Sequence, residues 1–166
     1  MLLLAILSDT VILTSPTATE RDRAVVGYLE ELLELDAPTL GTEMFEASSN
    51  VANVPASQIV RRDAKEYEAG SDKRICIAQI ETIGAGLTVR HDELLEALET
   101  ARADGGYALY ALMVTDIVAQ GTDLLVAGEH AAIERAFEVD PDSGVYELPG
   151  VMSRKKQVAP RVLQAF

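Results

Sequence analysis

Residues 108–118 read Ala-Leu-Tyr-Ala-Leu-Met-Val-Thr-Asp-Ile-Val, an apolar stretch broken only by Thr115 and Asp116. No alternation of polar and apolar positions runs through it, so it reads as a strand covered on both faces. A chain that contains such a strand needs helices to cover it, and the flanking sequence offers them. Arg74–Glu81 reads as a strand. Asp92–Ala103 reads as an amphipathic helix, with Leu94, Leu95, Leu98 and Ala101 on one side and Asp92, Glu93, Glu96 and Glu99 on the other. Gly121-Thr122-Asp123 turns into a second strand, Leu124–Ala127, and a helix spans about Ala131–Phe137. Pro141-Asp142-Ser143-Gly144 is a turn before a short strand, Val145–Leu148. Interleaved strands and helices give an α/β class of mixed α+β character: a small mixed sheet flanked by helices.

The first third of the chain is patterned differently. Met1–Leu7 is an apolar helix ending near Asp9, Thr10–Leu13 is β-prone, and Ser15-Pro16-Thr17 is a turn. Thr19 precedes a helix reaching about Leu35, with Val25, Tyr28, Leu29, Leu32 and Leu33 at helical spacing. A further helix, about Leu40–Ala47, follows Pro38. The small, polar segment Ser48–Asn53 reads as a linker. Pro55 reads as the first position of a helix running to about Tyr67, which places Lys65 on that helix; Gly70-Ser71-Asp72 is a turn. The expected organisation is a helical piece over 1–50 and a domain over 54–166.

Charge and composition narrow the partners. The 14 Lys and Arg face 27 Asp and Glu, a net charge of −13, which argues against nucleic acid. An anionic ligand then requires a local basic patch, bound cations, or both. The single cysteine, Cys76, lies in the apolar run Ile75-Cys76-Ile77-Ala78; it excludes an internal disulfide and fits a reducing, cytoplasmic compartment. Its plain reading is a small buried hydrophobe. Met1–Leu7 is too short to cross a bilayer and lacks the basic flank of a signal peptide, so no membrane role is expected.

Against this acidic background, Ser153-Arg154-Lys155-Lys156-Gln157 stands out: four basic residues and no acid lie between Ser153 and the C-terminus. Pro160 either opens the last helix, which makes the basic run the loop leading into it, or sits inside that helix; opening it is cheaper, because an interior proline costs about 3 kcal/mol. Cations at a helix N-terminus are unfavourable by about 0.3–1 kcal/mol each unless an anion sits against them. A solubilising tail is the plain alternative, although Val151-Met152 and Val158-Ala159 embed the run in apolar sequence. Lys65, in Asp63-Ala64-Lys65-Glu66, taken alone is a surface lysine among acids. Asp9, at the end of an apolar helix between two hydroxyl residues, is either a capping group or a ligand for a hard metal. His91 and His130 are isolated, with no His or Cys at i+3 or i+4, and Asp116 reads as a hydrogen-bonded strand-end aspartate.

Taken in order, Ala5-Ile6-Leu7-Ser8-Asp9-Thr10, Ser15-Pro16-Thr17, Asp63-Ala64-Lys65-Glu66, Ala78-Gln79, Thr115-Asp116-Ile117, Leu148-Pro149-Gly150-Val151 and Ser153–Gln157 form a series. It resembles the C-terminal part of the family II, manganese-dependent inorganic pyrophosphatases of the DHH phosphoesterase superfamily. The resemblance implies a two-domain hydrolase working between its domains. It matches Asp9 to a metal-ligand aspartate, and Lys65, Arg154 and Lys155 to ligands of the substrate phosphates, with Lys156 in the same motif. It implies manganese, or magnesium, as cofactor, and pyrophosphate or phosphate as the bound anion. Residues 1–50 would be a helical remnant of the N-terminal DHH domain, which is then a partner. The family's His-x-x-x-Asp-x-Asp and Asp-His-His segments do not occur in these residues. The expectation is therefore that this chain alone does not hydrolyse pyrophosphate. The alternatives are a non-catalytic phosphate-binding or interaction module, and part of an exopolyphosphatase-like phosphoester hydrolase. The apolar face of residues 1–13 is expected to be exposed, disordered, or covered by a second copy in a homo-oligomer.

Overall fold

The structure is a computed structural model that describes residues 1–48, 54–83, 87–139 and 144–166. The expected linker centre, residues 49–53, and most of the expected turn at 141–144 lie outside the described residues. The chain divides into two compact units, Met1–Asn50 and Val51–Phe166.

The first unit holds helices α1 (Leu2–Asp9), α2 (Glu20–Leu33) and α3 (Ala37–Ser48). Thr19 caps α2 reciprocally: the Asp22 amide donates to Thr19 Oγ1 at 3.3 Å, and the Thr19 amide donates to Asp22 Oδ2 at 2.8 Å. Leu3, Leu7, Val26 and Ala37 form its buried centre. The expected exposure of the N-terminal apolar face is corrected at Leu3 and Leu7, which lie in that buried centre, and Val11 is buried as well. Met1 and Leu2 are exposed, as are Tyr28, Leu32, Leu33 and Leu35. The β-prone segment Thr10–Leu13 is a turn, with Val11, Ile12 and Leu13 all in the left-handed region at φ 48°, 53° and 61°. The described part of this unit contains no strand to pair with, so the segment bonds to its own neighbours. The Ile12 amide reaches Leu7 O at 2.8 Å, and Thr10 Oγ1 donates to Ile6 O at 2.6 Å while accepting from the Leu13 amide at 3.1 Å.

The second unit confirms the mixed α/β class. Its described residues form a five-stranded sheet in the order β1 (Lys65–Ala69), β2 (Lys73–Thr82), β3 (Leu109–Asp116), β4 (Gly121–Gly128), β5 (Val145–Pro149). Residues 109–116 of the apolar run are β3, the middle strand, and are buried except at Asp116. Strands β2 and β3 are parallel and the other neighbours antiparallel. A parallel pair needs a crossover, and α5 (His91–Gly105) supplies it, its Leu94, Leu98 and Ala101 packing with Cys76, Ile80, Tyr110 and Leu112. On the opposite face, α6 (His130–Phe137) and α7 (Ala159–Ala165) cover Ile75, Ile77, Ala111, Met113 and Leu124. Strand β4 already begins at Gly121, and the turn expected there falls one step earlier.

The expected helix from Pro55 to Tyr67 is corrected. Only Ala56–Ile59 (α4) is helical; the chain then turns, with Asp63 at φ 43°, and enters β1. Residues 64–69 are ordinary helix formers by propensity, but the exposed edge of β2 offers a backbone ladder to them. Tyr67 and Ala69, two residues apart, then reach the apolar face that α7 covers. Lys65 therefore opens a strand, and period-two alternation puts it on the same sheet face as Tyr67 and Ala69.

Candidate anion site at the basic turn

The basic run is not a loop before the last helix. Residues Arg154–Val158 wind into a wide turn of the π type, whose 158 amide reaches Ser153 O at 3.2 Å, and α7 continues from it. Ser153 caps the turn, its Oγ accepting from the Lys156 amide at 3.3 Å. Gln157 folds back on the entering strand. Its Oε1 accepts from the amides of Met152 and Ser153 at 2.9 Å each, and its Nε2 donates to Gly150 O at 2.9 Å. The sheet holds the same segment from below: Gln79 Nε2 donates to Met152 O at 3.3 Å, and Thr122 Oγ1 to Val151 O at 2.5 Å. Thr122 is itself bonded to Thr115 at 3.0 Å between hydroxyls. A three-residue basic run is thus carried on a closely tied frame.

The basic residues divide within this frame. Lys155 and Lys156 are exposed. Arg154 is buried, its side chain only 6% exposed. Its Nη1 donates to Asp63 O and to Ile77 O, the latter at 3.1 Å, and its Nη2 donates to the Asp63 carboxylate at 2.8 Å. Ile77 is the register partner of Lys65. The guanidinium therefore joins the basic turn to the rung on which Lys65 sits, and Lys65 itself is exposed. Arg154 thus ties the turn that carries Lys155 and Lys156 to the β1–β2 rung that carries Lys65. Glu81 lies close by on β2. Burial holds its carboxyl above the usual range, with Asp63 adding to the rise and Arg154 and Arg62 opposing it.

Asp9 belongs to the first unit, where it ends α1 with its side chain exposed and its carbonyl accepting from Thr17 Oγ1 at 3.1 Å. Among the described residues no group of three or more His, Cys, Asp or Glu side chains could hold a metal ion. A lone carboxylate does not fit a manganese pair. Asp116 accepts from the amides of Val118 and Ala119 at 2.8 and 3.1 Å, the strand-end role expected of it. Cys76 is buried, and that burial pushes its thiol up, as befits a core residue. A cavity of about 300 Å³ lined by residues of β2 to β5 holds Asp116, Asp123 and Glu147 and no cation among its lining residues, which disfavours phosphate there.

Sequence reading missed Asp63, Gln79, Glu81 and Gln157 as parts of this site. Asp63 and Gln157 stand inside the two motifs that drew attention. The bond from Arg154 to Asp63 spans 91 residues, and nothing local announces it.

The geometry sets an ordered basic turn against a small mixed sheet, and comparison with known proteins gives that arrangement a lineage. The model of the DHHA2 domain matches residues 42–165. The chain belongs to the DHHA2 domain family. It is 36% identical to a protein of Lactiplantibacillus plantarum and 40% identical to one of Archaeoglobus fulgidus, each named "Probable manganese-dependent inorganic pyrophosphatase". Each alignment takes in all of this chain, with 54% and 52% of the relative. A solved structure from Methanococcus jannaschii, named for a family II inorganic pyrophosphatase, superposes with a TM-score of 0.90 at 34% identity, over 99% of this chain and 54% of that one. The chain thus spans about half the length of the relatives it matches. The resemblance read from the ordered motifs agrees with these likenesses. DHHA2 membership covers the whole basic turn and Lys65, whereas most of the first unit lies outside the matched residues.

Proposed function

We propose that this DHHA2 chain is the substrate-gripping, C-terminal portion of a manganese-dependent inorganic pyrophosphatase, and that Lys65, Arg154, Lys155 and Lys156 bind the phosphates of pyrophosphate. The observation that carries the reading is a basic run held in an ordered turn and tied by Arg154 to the strand rung that carries Lys65, in a protein of net charge −13. Fixed cations lower the energy of charge gathered on phosphoryl oxygens, and a charge-assisted hydrogen bond contributes about 1.5–3 kcal/mol.

Residues 1–50 are, in this reading, the closing helices of a metal-holding DHH domain, with Asp9 one ligand among several that other residues must supply. Manganese, when bound in such a set, would supply the activation of water; no step of it can be drawn from a single carboxylate. The chain alone therefore binds pyrophosphate without hydrolysing it, and turnover needs a polypeptide carrying the His-x-x-x-Asp-x-Asp and Asp-His-His segments. Magnesium is the other cation of suitable hardness. A cytoplasmic setting fits the single reduced cysteine, and no described helix is long and apolar enough to cross a membrane.

The test is calorimetric titration of pyrophosphate into the full chain, followed by hydrolysis assays with manganese before and after adding a polypeptide bearing the missing segments. Saturable binding that Lys65→Ala and Lys155→Ala each weaken about tenfold or more is expected, with phosphate released only in the reconstituted mixture. Binding indifferent to both substitutions would refute the site. Binding without turnover in the full mixture would instead favour the non-catalytic module.

A further inference from the structure

Of the three cations in the basic run, Arg154 is the one that the fold buries and holds. Arg154 is almost wholly buried, and two of its three bonds go to a single residue, Asp63, through its carbonyl and its carboxylate. The third goes to Ile77 O on the neighbouring strand. Asp63 holds a left-handed backbone at φ 43°, a conformation that aspartate and asparagine tolerate better than most residues. Its carboxylate is more than half exposed, so the chain places an acid at the rim of a site meant for an anion. Coulomb's law makes that placement unfavourable for a phosphate ligand. A carboxylate there needs a compensating task, and its bonds supply one.

Resting on the proposed anion-binding function, we infer that Asp63 is a positioning residue for the basic turn: its carboxylate and carbonyl fix Arg154, and through Arg154 the spacing between Lys155 on the turn and Lys65 on β1. The planar guanidinium fork suits this task, because it reaches two carbonyls and a carboxylate with defined geometry. Lys65 lies two residues beyond Asp63 and directly across from Ile77, so both ends of the tie are within a residue or two of the lysines they register.

The sign of one substitution effect separates this role from plain electrostatics. Asp63→Asn keeps the side-chain shape and the left-handed backbone but removes a negative charge beside the site. If charge alone mattered, pyrophosphate would bind equally well or more tightly. The positioning role requires the opposite, a loss of tenfold or more in affinity, shared by Asp63→Gly, which relaxes the backbone and also lacks the carboxylate. Equal or tighter binding in Asp63→Asn overturns the inference. A nitrogen-15 spectrum of the full chain without ligand supplies an independent readout. The held guanidinium should give Arg154 Nη–H signals distinct from those of exposed arginines, and Asp63→Asn should merge them. Persistence of distinct signals in the variant overturns the inference. If the unaltered chain binds no pyrophosphate, the functional proposal fails, and the spectrum alone still decides the role of Asp63.

Discussion

Arg154 and Lys155 are neighbours in sequence and opposites in environment. Arg154 is sunk into the sheet end with three acceptors, whereas Lys155 is exposed beside it. Arg154→Ala is expected to lower the stability of the second unit by about 2–3 kcal/mol, because it strands acceptors paired with a charged donor. Lys155→Ala should leave the urea midpoint unchanged within about 0.5 kcal/mol while weakening pyrophosphate binding. Paired unfolding and binding curves on both variants check the contrast. Glu81 gives a second prediction, about pH. Burial raises its folded carboxyl above the ordinary value of 4.5. The folded state then binds more protons than the unfolded state just above pH 4.5, so stability falls as pH rises through that window. Glu81→Gln removes the ionised form, so the variant should melt higher than the parent at pH 7, with the gain shrinking toward pH 4. A gain of the same size at both pH values would show that the ionised carboxylate is not what costs stability.

Two segments carry the site, and each forms a different kind of segment from the one its local sequence favours. Lys65 was expected on a helix, and propensity supports that reading for Ala64–Ala69. The edge of β2 overrides it by offering a ladder and an apolar face to Tyr67 and Ala69. The basic run was expected as a loop, yet it winds into a turn because Ser153 and Gln157 satisfy the amides and carbonyls around it. Gln157 is the pivot, so Gln157→Ala should free two amides and one carbonyl at an expected loss of about 1–3 kcal/mol. Faster hydrogen exchange at Met152 and Ser153, together with weaker pyrophosphate binding, is the expected signature. Unchanged exchange there would mean that the sheet contacts alone hold the segment.

The two units differ in how much core they own. The second unit has a large apolar cluster on each face of its sheet, whereas the first has one small cluster centred on Leu3, Leu7, Val26 and Ala37. Small domains are marginal because they bury a low fraction of their surface. A fragment of residues 54–166 is expected to fold with a dispersed amide spectrum, and residues 1–50 alone to show little stable structure. Cooperative melting of the isolated first fragment would overturn that expectation.

By itself, the sequence determined the class of the second unit, its central strand and crossover helix, and the family. Each of these rests on periodicity or on motif order, which is carried along the chain. It also singled out the basic run as chemistry out of keeping with an acidic protein, and Lys65 only through the motif order of the family it resembles. Only the tertiary structure decided that Lys65 begins a strand, that Arg154 turns inward to Asp63 across 91 residues, and that Gln79 and Gln157 hold the frame. Strand pairing and buried hydrogen bonds depend on which distant backbone is available as a partner. Local propensity carries no record of that availability, so the same residues that announce the ligand do not reveal how they are held.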